Sequence, residues 1–159
     1  MTTECTRIAD QLRRAFEGKA WHGPSLKELL TDVGAEQASA RPIANAHSIW
    51  ELVSHIEVWT RAAFESISGV AMPKIVGTVE DWPLPPEPTA EAWSAATKRL
   101  FATGGALASA IESFDDSRLT EIVPGRPQYG FYVLFHGVVQ HSLYHAGQIA
   151  LVKKAVFSR

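Results

Sequence analysis

Apolar positions recur at spacings of three and four along four long stretches of the chain, the signature of amphipathic helices. Residues 3–17 place Ile8, Leu12 and Ala15 on one face, with Gly18 as a stop. Ile49, Leu52, Ile56, Trp59, Ala63 and Ile67 mark a second helix. Trp93, Ala96, Leu100, Leu107, Ile111 and Phe114 mark a third, weakened at Gly104 and Gly105, where a kink is expected. Leu134, Val138, His141, His145, Gln148 and Val152 mark the fourth, predicted over residues 129–154. Its opening, YGFYVLF, is rich in strand-favouring residues, but the stripe runs too long for a typical strand and no proline interrupts it.

Capping chemistry agrees with these boundaries. Ser25 followed by Glu28, and Ser48 followed by Glu51, are capping-box patterns. The first opens a short helix predicted to end near Gly34, and the second directly precedes the second long stripe. Thr89 caps the third long helix. Two stretches are punctuated instead of periodic: residues 69–88, GVAMPKIVGTVEDWPLPPEP, and residues 115–128, DDSRLTEIVPGRPQ. Four long helices with no convincing strand predict an all-α fold, a four-helix bundle in one domain spanning residues 1–159. Residues 69–88 are long for a bundle loop and are the candidate crossover connection.

Composition narrows the classes. The chain has 159 residues, 46% hydrophobic and 20% charged, which suffices for one globular core. A net charge of −2 gives no field to draw nucleic acid or an acidic membrane. No apolar run approaches the roughly 20 residues of a membrane span, and the polar start, MTTECTRIADQLRR, has no apolar signal core. The expectation is a cytoplasmic protein. Cys5, the single cysteine, excludes an internal disulfide and a Cys-x-x-Cys site, and is expected to be incidental.

Chemistry concentrates in HGVVQHSLYHAGQ, residues 136–148, which holds three of the six histidines. On a helix His141 and His145 share a face one turn apart, a spacing that lets two imidazoles hold one divalent metal. His136 points roughly 140° away from His141. A third ligand must come from elsewhere: His22, His47, His55 and His136 are the candidates, and the mid-helix position of His55 beside the inward stripe favours it. A three-histidine site leaves a position open for water or substrate. The competing reading is a set of hydrogen-bonded core histidines. No Glu-x-x-His di-iron pattern, His-Glu-x-x-His motif, glycine-rich phosphate loop or serine triad is present. Glu51 is a candidate base or orienting group, though its role as capping partner of Ser48 competes. His47 is a candidate for the pocket rim. Gln148 is placed to hold a ligand ring, and Trp59, Trp50 and Tyr144 to line a pocket, with core packing the default for each.

GKAWHGPSL (residues 18–26), HSIWELVSHIEVW (47–59) and HGVVQHSLYHAGQIALVKKA (136–155) resemble the DinB-like superfamily, described as metal-dependent enzymes. The ending His-x-x-x-His-x-Gly-Gln is the most specific part. The resemblance implies a four-helix bundle with a crossover connection, a homodimer, and a metal triad at His55, His141 and His145. It implies one divalent metal ion, zinc or nickel foremost, and a small-molecule substrate. A low-molecular-weight thiol is the implied cosubstrate where the chemistry is thiol transfer, as in relatives using bacillithiol or mycothiol; other relatives are named hydrolases. The metal would activate a bound water or thiol. The alternative is a non-catalytic metal-binding stress-response or interaction module.

Overall fold

A computed structural model describes residues 2–158. Local capping explains most element boundaries. Helix α1, Glu4–Glu17, is capped by Thr3, whose side chain accepts from Thr6 N (3.2 Å), and stops at Gly18, whose φ of 140° suits glycine. The capping box of Ser25 and Glu28 is complete and opens α2, Leu26–Leu30. This helix ends short of the predicted Gly34. The Val33 carbonyl is instead taken by Trp93 Nε1 (2.6 Å), and Asp32 pairs with Lys153. Gly34 opens a further short helix, α3, Ala35–Ser39. The Ser48–Glu51 box opens α4, Ile49–Ile67, and Thr89 caps α5, Ala90–Glu112.

Helix α5 runs unbroken through Gly104 and Gly105. Gly104 serves packing: a Cβ there would lie 2.4 Å from the Phe16 ring. The last helix, α6, spans Phe131–Phe157, so Tyr129 and Gly130 are not its first residues, as the sequence pattern had them. They end strand β2, Arg126–Gly130, which pairs antiparallel with β1, Ile122–Val123. Gly125, at φ 77°, makes the turn. So short a hairpin shows no readable alternation in sequence. A single 3₁₀ turn, Asp116–Arg118, precedes it.

The four long helices pack α1 on α5, α5 on α4, α4 on α6 and α6 on α1. Their directions follow from paired contacts. Helices α4 and α5 run parallel, because Trp50 meets Trp93 near both starts and Thr103 donates to Glu57 farther along (3.3 Å). Helix α1 runs against α5, with Arg13 on Glu112 and Phe16 on Phe101. Helix α6 runs against α4, with His141 beside Trp59 and His145 beside His55. Two parallel neighbours cannot be joined by a short turn, so residues 69–88 return along the length of α4. Met72 N donates to Pro124 O at one end (2.8 Å), Asp81 meets Trp59, and Trp82 reaches His47 near the start of α4.

Leu12, Trp50, Ile56, Leu100, Phe135 and Ile149 are among the fully buried core side chains. Cys5 is also buried. Burial first, then the Asp116 carboxylate, pushes its thiol up to about 12, so it offers no thiolate at neutral pH. Among the described residues no helix is long and apolar enough to cross a membrane.

Candidate metal centre

Helices α4 and α6 face each other antiparallel, and their facing stripes carry the histidines. His55 comes from the middle of α4, and His141 and His145 from successive turns of α6. His55 and His145 are buried, and His141 is half-buried. One ring nitrogen from each lies within 4.8 Å of the others. A tetrahedral ion with bonds of about 2.0–2.1 Å needs its nitrogens about 3.3 Å apart, so small side-chain movements suffice to meet it.

The outer edges of the rings fix their tautomers. A carbonyl can only accept, so His55 Nδ1 donates to Asp81 O (2.6 Å) and keeps its Nε2 lone pair free. His145 Nδ1 donates to Gln148 Oε1 (2.8 Å), again leaving a bare Nε2. His141 Nε2 sits 3.0 Å from His55 Nε2 and must donate to it. That leaves His141 Nδ1 a buried nitrogen with no partner. Two supported rings therefore turn Nε2 lone pairs inward, and His141 presents its Nε2 to them.

Electrostatics keeps these rings neutral. Burial, then the neighbouring His145 and His55, pushes His141 down to about 3. Burial also lowers His55, against the opposing pull of Asp81, and lowers His145, against its bond to Gln148. Neutral imidazoles are the form that binds a metal.

Of the other residues singled out by the sequence, some stand beside this cluster and some lie elsewhere. Trp59 donates Nε1–H to Asp81 Oδ1 (3.0 Å) and stands 5.9 Å from the His141 ring. Gln148 holds His145. His47 makes no ligand contact; its ring stacks on Trp82 at 3.5 Å, on the face opposite His55. Glu51 spends one oxygen on Ser48 N (2.8 Å), closing the cap, and the other on an ion pair with Arg41, so neither is turned to the three clustered histidines. Trp50 packs in the core against Trp93, and Tyr144 is exposed with its ring edge near His145. His136 lies on another face near Glu4 (3.7 Å), and His22 is exposed in a turn.

Sequence reasoning missed two residues of the crossover segment. Asp81 holds His55 through its backbone and Trp59 through its carboxylate, which also accepts from Gly77 N (3.4 Å). Trp82 stacks on His55 at 3.9 Å and 8°. The one available signal was an acid and a large aromatic, side by side, in an otherwise proline-rich loop. A family model matches residues 20–149, a span that takes in all three histidines and the crossover segment. Among curated proteins and among solved structures nothing matches the chain. By a match over most of its length, the chain belongs to the DinB superfamily.

Proposed function

We propose that the chain binds one divalent metal through His55, His141 and His145 and acts as a metal-dependent enzyme on a small molecule, by hydrolysis or by transfer of a low-molecular-weight thiol. The observation that carries this reading is the convergence of three neutral imidazoles, two of them pre-oriented by Asp81 and Gln148. A bound metal supplies Lewis acidity, lowering the pKa of a water or thiol that joins it. The donor set is neutral nitrogen without carboxylate, which suits zinc or nickel.

The chain's own residues prepare that chemistry. Asp81 and Gln148 hold proton-bearing Nδ1 atoms outward so that Nε2 lone pairs face inward. Trp82 covers one face of His55 and keeps water from it. Burial keeps all three rings uncharged through the neutral range.

The test is metal content after purification and after incubation with zinc or nickel, followed by screens with thiol and electrophile pairs and with ester or amide substrates. One equivalent of metal per chain, lost in His55→Ala and in His145→Ala, supports the site. Wild type that takes up no metal overturns it. A metal-loaded protein that turns over no substrate in any screen favours the binding-module alternative.

A homodimer belongs to the same reading and rests on the family resemblance. Its best-placed contact is the outer face of α6, where Tyr144 and Leu151 are 66% and 63% exposed at helical spacing. Sedimentation at a mass above the 17.4 kDa of one chain, reduced to that mass by Leu151→Asp, would support it.

A further inference from the structure

One cavity of the molecule includes a ring of the histidine cluster. It has a volume of about 260 Å³ and is walled by Trp59, Met72, Tyr129, Val133, Gly137 and His141 among others. Four elements build it: α4 supplies Trp59, the crossover segment Met72, the hairpin Tyr129 and α6 the rest. No charged side chain lines it. The Tyr129 hydroxyl is turned toward Met72 Sδ at 3.8 Å, a weak contact. His141 is the one strongly polar group on its wall. A second cavity of about 240 Å³, beside His47 and Gln148, contains none of the three rings and carries Asn45.

Size and lining limit what fits. A dry apolar cavity of about 150 Å³ holds a benzene molecule, so this one takes a substituted ring or a branched alkyl group. Its mouth is open to solvent beside the exposed Val133, but its walls offer a charged group no partner. One glycine borders this space. Gly137 lies one turn before His141 on α6, and a Cβ placed on it would meet no atom within 4 Å. Helix interiors disfavour glycine; like Gly105 and Gly147 this one has no close packing contact, but of the three only Gly137 lines the cavity. Gly104 differs, because the Phe16 ring presses on it.

We infer that the cavity beside His141 receives an uncharged apolar arm of the substrate, an aromatic ring or branched alkyl group, and that Gly137 sets the size of that arm. This rests on the reading of the three histidines as the reacting centre, since His141 then stands where the arm meets the reactive end. The substrate class is an amphiphile: a polar reacting group at the histidines and a compact hydrophobic group between α4, α6 and the hairpin.

The test compares two hydroxamates on zinc-loaded protein by calorimetry. Acetohydroxamate reads the metal alone, and benzohydroxamate adds a ring for the cavity. Burying the ring should tighten binding by roughly tenfold or more in wild type. In Gly137→Leu that advantage should fall to about one, with acetohydroxamate binding unchanged; Gly137→Ala, which helix propensity favours, should fall between. A wild-type ratio near one, or a ratio that survives Gly137→Leu, overturns the inference while leaving the metal reading intact. Should neither hydroxamate bind, the metal offers no open position and the reading of the histidines as a reacting centre fails, and benzyl alcohol titrated into metal-free protein decides the cavity alone by methyl NMR. Shifts at Val133 and Val138 that vanish in Gly137→Leu support the apolar site, and their absence in wild type overturns it.

Discussion

Two buried polar clusters sit one turn apart on α4, and they are built on opposite principles. Around Glu51, which is 4% exposed, both carboxylate oxygens have a partner: one accepts from Ser48 N, the other from Arg41, and Ser48 Oγ accepts from Glu51 N in return. Around His55, 6% exposed, three imidazoles crowd together, two ring nitrogens approach to 3.0 Å, and His141 Nδ1 is left without a partner. The first cluster satisfies both carboxylate oxygens and stabilises a helix start. The second gathers three imidazoles, a set that could hold a metal ion. Burial alone does not separate structure from site, since both clusters are buried; three ring nitrogens brought within reach of one point do.

The sharpest way to break this contrast is to exchange the consequences. His141→Leu fills the same space, removes the orphaned nitrogen and relieves the crowding. It should cost more metal affinity than the roughly 10–100-fold lost when a supporting partner of a ligand is removed. Unfolding of the metal-free protein by urea should meanwhile be unchanged or shifted to higher denaturant. Glu51→Ala should do the reverse: about 1–3 kcal/mol less stability from the lost cap and the unpaired Arg41, with metal affinity retained. A stability loss in His141→Leu as large as that in Glu51→Ala would place the histidines among ordinary core contacts.

The same contrast appears in acid. His141 titrates at about 3 in the fold against an ordinary 6.5, so between those values the unfolded chain binds a proton that the folded chain does not. Stability is therefore full above pH 6.5 and falls as pH drops toward about 3. From His141 alone the loss between pH 7 and pH 5 is about 2 kcal/mol. His55 and His145 are lowered too and add to the same slope. Urea unfolding of metal-free protein at pH 7 and pH 5 should show this loss in wild type and a smaller one in His141→Leu. Equal slopes in the two proteins would refute the assignment.

How far each cluster could be read from sequence also differs. The Ser48–Glu51 cap is local, three residues apart, and its pattern is explicit in the chain. The pairing of His141 with His145 follows from one helical turn, and His55 from its place beside an apolar stripe. Asp81 and Trp82 were invisible for a physical reason. Asp81 holds His55 with a backbone carbonyl, a group every residue has, and Trp82 arrives only because residues 69–88 must return along α4. The hairpin was missed because β1 has two residues and β2 five, and two of those five were absorbed into the following helical stripe. Local chemistry was legible; contacts set by the path of a long connection were not.

A smaller effect sharpens the role of the supporting shell. Gln148→Ala removes the acceptor for His145 Nδ1, so the ring loses its fixed tautomer and is free to turn. Metal affinity should fall about tenfold, at the low end for an outer partner. Gln148→Glu keeps an acceptor at the same reach and should recover the loss. Competition with a chromogenic chelator reads both. Equal affinity in all three proteins would mean that Gln148 does not orient the ring.

The smallest expected effect belongs to His47, the histidine nearest the boundary between the two clusters. Its Nδ1 stands 3.8 Å from Glu51 Oε2, beyond hydrogen-bond reach, and its ring lies flat on Trp82 at 3.5 Å and 1°. Trp82 is thus clamped between His47 and His55, and His47 touches the centre only through it. Removing one stacked ring costs about 0.5–1.5 kcal/mol. His47→Ala should lower stability by about that much and change metal affinity less than threefold, because His55 keeps its bond to Asp81 O. A tenfold loss of metal would instead make His47 a fourth ligand. For that the Trp82 ring would have to leave the gap between the two imidazoles, and its indole fluorescence would change on metal binding in wild type but not in His47→Ala.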